Sequence, residues 1–265
     1  MNKKLTFTKT FTGITILLYY IPIFVLIIYS FNASRYLNVW GGFSLKWYKS
    51  LMEDEALLEA ALISFKIAFA SATISTIVGT ATALMLIRAK RLHGKTFLTG
   101  MLSIPFVVPE VIIGASMLLL FIAFEKITGW PEHRNIFTVI LAHTTIGIAY
   151  ASMIIQTRLL SFDTSLEEAA MNLGASPLKT FFVITLPIIS KGLIAGWLLA
   201  FTLSFDDLII SSFTSGPEST TLPMLIYSRI KVGLTPKTNV LATIMICIII
   251  FVMTVVYFTN LKKKD

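Results

Sequence analysis

The sequence predicts an all-α polytopic membrane protein: six transmembrane helices in a single membrane domain over 1–265, with one short cytoplasmic helix. Three observations carry this. Hydrophobic residues make up 55% of the 265-residue chain, and the mean hydropathy is +0.81. Charged residues make up 14%, against about 25% in soluble domains. The apolar residues gather into runs of roughly 20, the length that crosses a bilayer core of about 30 Å.

The expected spans lie at 11–31, 64–87, 97–124, 136–157, 193–213 and 238–260. Phe11–Phe31, Ile67–Ile87, Ile136–Thr157 and Thr238–Asn260 contain no Asp, Glu, Lys or Arg. The first span is too long, and too weakly followed by a small-residue cleavage site, for a removed signal peptide and reads as an uncleaved anchor. In the second, the Ala/Gly/Ser/Thr run "ASATISTIVGTATA" (70–83) marks close helix packing. The third carries Glu110 between Pro105, Pro109 and an apolar stretch. The fourth holds His143 near its outer third, read as a satisfied packing residue rather than a ligand. The fifth carries Asp206 and Asp207, and the sixth holds Cys247, the single cysteine, so there is no disulfide framework.

With the N-terminus inside, thirteen basic residues face the cytoplasm: Lys3, Lys4, Lys9, Arg88, Lys90, Arg91, Lys95, Arg158, Lys179, Lys191, Lys262, Lys263 and Lys264. Eight lie in the longer opposite loops, and Lys66 sits at a boundary. Positive charge accumulates on cytoplasmic loops, so both termini are expected in the cytoplasm. The net charge of +8 follows from that asymmetry and argues for no nucleic-acid partner. No Ser-His-Asp, Cys-His or metal-ligand constellation is present, so neither catalytic chemistry nor a metal site is expected.

The loop 158–192, between the fourth and fifth spans, contains "EEAAMNLGASPLKTFFVITLP" (167–187). Asp163 can cap a helix beginning near Thr164, and Ser165 with Glu168 offers an alternative capping box. Glu167 and Glu168 fall in the first turns, where the helix dipole favours negative charge. Leu166, Ala169, Ala170 and Leu173 repeat at helical spacing and form a narrow apolar face. Gly174 supplies a left-handed stop. Ser176-Pro177 is a second start signal, and Leu186-Pro187 is expected to break or kink the chain.

Glu168-Ala169-Ala170, then Gly174, Ile184 and Leu186-Pro187 at their spacing resemble the EAA motif of permease subunits of binding-protein-dependent ABC importers. The resemblance implies the ABC importer permease fold, with this helix as the coupling helix that docks on a cytoplasmic ATPase. An interfacial helix lying on lipid is the alternative. "GASPLKT" lacks the second glycine of a phosphate-binding loop. No cofactor is therefore expected on this chain; ATP and magnesium belong to the partner.

The stretches "YIPIFVLIIYSFNASRY", "GFSLKWYKSL", "AFTLSFDDLIISSFTSGP" and "LPMLIYSRIKVGLTPKTNVLATI" resemble C-type permease subunits of spermidine/putrescine importers. This implies an ATPase homodimer, a second, related permease and an external polyamine-binding protein, in a bacterial inner membrane.

The residues themselves offer a path for such a solute. A carboxylate inside a span costs about 2.5–3.5 kcal/mol, so it faces a cavity or a partner. On uninterrupted helices Glu110 would lie about 18 Å into the bilayer, and Asp206 and Asp207 about 20 Å. Together they would form a ring attracting ammonium groups, with Tyr150, Trp197 or Phe205 adding cation–π attraction. Other readings stay open. Asp206-Asp207 can cap a helix beginning at Leu208, and Glu110 can pair with a basic group. An EAA permease for another solute, or an ion-coupled transporter using the three acids as a relay, also accommodates these residues.

Overall fold

The computed structural model describes residues 2–36, 39–89, 93–232 and 236–261. The basic residues Lys90, Arg91, Lys262, Lys263 and Lys264 lie outside them. The described residues form two compact units, one from the chain's ends (up to Leu58 and from Ile226), the other Glu59–Leu225.

In the first unit, α1 (Asn2–Ser30) packs along α12 (Pro236–Leu261), which also packs on α2 (Lys46–Met52). The chain leaves α1 through a loop organised by the buried Asn32. Its Oδ1 accepts from the N–H groups of Ser34 (3.0 Å) and Gly41 (2.7 Å), and its Nδ2 donates to the Val39 carbonyl at 2.7 Å. Asp54 accepts two hydrogen bonds from the Arg229 guanidinium, each 2.8 Å, with Lys237 Nζ at 3.5 Å.

The second unit is built on α3 (Glu55–Arg88, from Glu59 on), α4 (Lys95–Val107), α5 (Glu110–Thr128), α6 (Ile136–Leu160), α9 (Leu186–Phe205) and α10 (Ile209–Thr214). α6 is its axis and packs most extensively on α9. Small residues set the approach: a Cβ on Gly79 would lie 3.0 Å from the Ser152 backbone N, and one on Gly196 3.4 Å from Ala151 Cα. Ala83, Ala151, Ile155, Leu159 and Ile189 form a buried cluster joining α3, α6 and α9. In lipid the gain comes from van der Waals packing rather than water release. Ser71 Oγ donates to Ser204 Oγ (3.0 Å) and Ser75 Oγ to the Thr144 carbonyl (3.1 Å), each worth about 0.6 kcal/mol.

Among the described residues, five helices are long and apolar enough to cross a membrane: Thr8–Ser30, Glu55–Arg88, Glu110–Thr128, Ile136–Leu160 and Pro177–Phe205. After the shorter α11 (Leu222–Val232), α12 adds 26 helical residues over the sixth expected span.

Three local expectations change. The span 97–124 is not one helix but α4 and α5, parted at Val108-Pro109, where Val108 is extended (φ −84°, ψ 131°). Proline disfavours helical backbone in the residue before it, so Glu110 opens a helix instead of lying within one. The span 193–213 likewise ends at Phe205 and restarts at Ile209, so Asp206 and Asp207 occupy a break. Leu186-Pro187, by contrast, does not stop the chain. A π-helical turn, Phe181–Thr185, leads directly into α9. Proline lacks an N–H and clashes with the carbonyl four residues back; the wider turn accommodates it without ending the helix.

Candidate functional site

Two constructions concern function, both within the second unit. The first is the loop after α6. α7 (Ser165–Asn172) follows Asp163, whose Oδ1 accepts from the Ser165 N–H at 3.0 Å. That bond holds the Asp163 carboxyl below its ordinary pKa. α7 ends as a Schellman turn: the Ala175 N–H reaches the Ala170 carbonyl and the Gly174 N–H the Met171 carbonyl, each at 3.0 Å. Gly174 sits at φ +90°, the left-handed region that favours glycine. Ser176 then caps α8 (Pro177–Thr180), its hydroxyl accepting from the Lys179 N–H at 3.3 Å.

Glu168, Ala169 and Gly174 are exposed, Ala170 is half-buried, and Leu173 stands 90% exposed at the tip. Ile184 lies in the π turn, with Leu186 and Pro187 opening α9. Glu167 turns the other way. Its Oε1 lies 2.5 Å from Arg88 Nη2 and also accepts from Thr185 Oγ1. The sequence reading did not single out this link, because Arg88 is 79 positions away.

The second construction is a cavity at the two helix breaks, lined by Glu110, Tyr150, His143, Ser204 and Asp207 among others, with a volume of about 40 Å³. The α5 start at Glu110 and the α9–α10 break at Asp207 meet there because α10 packs on α5: Gly114 leaves room for Phe213 and Ile210. Asp207 caps α10, accepting from the Ile210 N–H (3.3 Å) and the Ser211 N–H (2.7 Å). His143 is buried behind it. Its Nδ1 lies 2.6 Å from Ser204 Oγ, and its Nε2 lies 3.2 Å from both Ser211 Oγ and Asp207 Oδ2. Glu110 is exposed at the first turn of α5, where the positive end of the helix favours its charge. Tyr150 meets Phe106 edge-on, with ring centroids 4.7 Å apart.

The structure thus brings Glu110, Asp207 and Tyr150 together beside His143, a buried packing residue whose two ring nitrogens both have polar partners. It does not bring in the others. Asp206 is exposed and closes α9, its N–H donating to the Thr202 carbonyl at 3.2 Å. Trp197 donates to Thr73 Oγ1 at 3.1 Å and stacks on Phe201, which stacks on Phe205. A wider cleft of about 800 Å³, near Trp130 and Gly216, is lined by none of the candidate solute-path or coupling residues. The small cavity is the stronger candidate because two carboxylates and two helix breaks converge on it; discontinuous helices are a recurrent way to build solute sites in membranes.

Residues 75–261, which include both constructions, match the family of binding-protein-dependent transport system inner membrane components. The chain belongs to that family. It is therefore a multi-pass inner-membrane protein with a permease fold. Among relatives of this family member, the putrescine transport system permease protein PotI of Escherichia coli K12 is 49% identical over 227 residues, covering 86% of this chain and 81% of the relative. The spermidine/putrescine transport system permease protein PotC of Haemophilus influenzae is 42% identical, covering 86% of each chain. PotC of Escherichia coli K12 is 40% identical, covering 86% of this chain and 83% of the relative.

Solved structures share the fold at low identity. A chain of a bacterial ABC transporter importing the acidic polysaccharide alginate aligns with TM-score 0.74 at 14% identity, covering 99% of this chain and 97% of that one. A chain of the MetNI methionine ABC transporter aligns with TM-score 0.62 at 14% identity, covering 79% and 96%.

Proposed function

We propose that this chain is one of two permease subunits of an ATP-driven importer of polyamines, with putrescine or spermidine as solute. The observation that carries this reading is the cavity where Glu110 and Asp207 meet at two helix breaks. Its carboxylates offer negative charge to a flexible di- or triammonium ion, and Tyr150 offers an aromatic face. The names of the PotI and PotC relatives support the same solute class.

Water occupies about 30 Å³ per molecule in the liquid, so a volume of about 40 Å³ holds little more than a water. A polyamine passes only when the breaks at Val108-Pro109 and Asp206–Leu208 separate. Glu110, with no hydrogen bond to its carboxylate among the described residues, is the group that meets the ammonium. Asp207 holds the α10 start in place.

Energy comes from outside the chain. The exposed α7, with Glu168, Ala169, Ala170 and the Gly174 stop, docks on a cytoplasmic ATPase homodimer that binds ATP and magnesium. An external polyamine-binding protein delivers the solute. The loop basic residues Arg88, Arg158, Lys179 and Lys191 lie on the cytoplasmic side with both termini. One docking helix per subunit and two ATPases imply a second, related permease.

Co-purification followed by native mass measurement tests this assembly. One copy of this chain, one of a different permease and two ATPases are expected. A homodimer of this chain that transports polyamines without a second permease would overturn the proposal.

A further inference from the structure

The neighbouring acids Glu167 and Glu168 face different surroundings. Glu168 is exposed on the surface of α7, whereas the Glu167 side chain is only 12% exposed. We infer that Glu167 is a positioning residue for transport, carrying movement of α7 into α3 and α9 through Arg88 and Thr185. The inference rests on the reading of α7 as the ATPase-docking helix, and goes beyond it by assigning how that helix is tied to the spans.

Geometry supports the assignment at each joint. One oxygen, Glu167 Oε1, receives both the Arg88 guanidinium at 2.5 Å and the Thr185 hydroxyl. Arg88 is the last residue of α3, and its guanidinium also lies 6.0 Å from the centre of the Phe162 ring, at the entry to the loop. Thr185 is fully buried and closes the π turn from which α9 departs. A π turn has one residue more per hydrogen-bonded loop than the α-helix around it and is frequent at functional positions.

Beside this joint, Ala83 of α3, Leu159 of α6 and Ile189 of α9 belong to one buried cluster, against which Ile87 also packs. Gly192 of α9 leaves room for the Arg158 side chain at the end of α6. Displacement of α7 therefore pulls on a close-packed junction of three helices rather than on a loose connection. Hydrogen bonds to an ionised group are roughly twice as strong as neutral ones. The carboxylate thus gives α7 a firm hold on both spans, while its exposed face remains available for docking.

The test uses the complete complex in proteoliposomes, with radiolabelled putrescine as solute and both uptake and ATP hydrolysis measured on the same vesicles. Glu167→Gln and Arg88→Gln are expected to leave the ATPase bound and hydrolysing, while uptake per ATP falls roughly tenfold to hundredfold, the scale of one charge-assisted hydrogen bond. The exchanged pair, Arg88→Glu with Glu167→Arg, is expected to recover part of that loss, which a general loss of packing would not allow. If neither charge variant accumulates in the membrane, Thr185→Val removes a single donor and is expected to lower uptake per ATP by a smaller factor. Unchanged uptake per ATP in any of these single variants would overturn the inference, as would loss of the ATPase from Glu167→Gln with wild-type binding intact. If the wild-type chain binds no ATPase, the reading of α7 fails and the inference with it.

Discussion

Gly174→Val is the sharpest perturbation of the loop, because its cost can be bounded from the structure. A Cβ at Gly174 would meet nothing within 4 Å, so within this chain the penalty is purely conformational. The backbone stands at φ +90°, and a left-handed L-residue costs about 1–2 kcal/mol, more when branched. The loop can escape that strain by unwinding, but it then gives up the two Schellman hydrogen bonds, about 0.5–1.5 kcal/mol each. Either way about 1–3 kcal/mol is lost locally, equivalent to roughly fivefold to somewhat over hundredfold in the docking-competent population. Membrane insertion should be unaffected while uptake and ATPase co-purification fall together. Gly174→Asn should lose least and Gly174→Ala an intermediate amount, because asparagine tolerates the left-handed region best of the three. Equal losses for Asn and Val would refute the backbone argument by pointing to side-chain bulk at the docking interface. A fully active Val variant would refute it outright.

Glu110→Gln should raise the half-saturating putrescine concentration about tenfold to hundredfold, as expected for one lost charge contact, with normal yield of the complex. Asp207→Asn should lower both uptake and thermal stability, because it weakens the α10 cap and the contact with His143; cap losses run about 0.5–2 kcal/mol. Asp206→Asn, outside the cavity, should have the least effect of the three in the same uptake and melting assays. The Asp54 carboxyl is held at about 2 by the Arg229 hydrogen bonds, against an ordinary value of 3.8. Its depressed folded pKa means that the pairing stabilises the fold fully above about pH 4. That contribution is lost as pH falls through about 2, so Arg229→Gln should move the Asp54 titration, followed by carboxyl NMR, back up towards the ordinary range.

The loop 158–192 was legible because its signals are local. Asp163, Gly174 and Ser176-Pro177 each act on backbone groups within a few residues, and each does so in the structure. Glu110, Asp207 and Tyr150 were legible by type, since a carboxylate in an apolar stretch needs a cavity or a partner. Their arrangement was less so. The break at Val108-Pro109 follows from the restriction that proline places on its predecessor, whereas the break at Asp206–Leu208 contains neither proline nor glycine. It is marked only by Asp207 acting as a cap. His143 meets Ser204 across 61 positions, and Arg88 meets Glu167 across 79; no periodicity links such pairs, and tertiary packing alone brings them together. The aromatic residues Trp197 and Phe205 looked equivalent to Tyr150 in the sequence, but they extend the ladder through Phe201 instead of lining the cavity.

Uptake of radiolabelled putrescine by proteoliposomes containing the complete complex tests the central claim most directly. ATP supplied on the cytoplasmic face should drive accumulation, and unlabelled putrescine and spermidine should compete while uncharged 1,4-butanediol should not. Uptake that proceeds without ATP on a proton or sodium gradient, or that the diol inhibits as well as the diamine does, would contradict an ATP-driven path selecting its solute by positive charge.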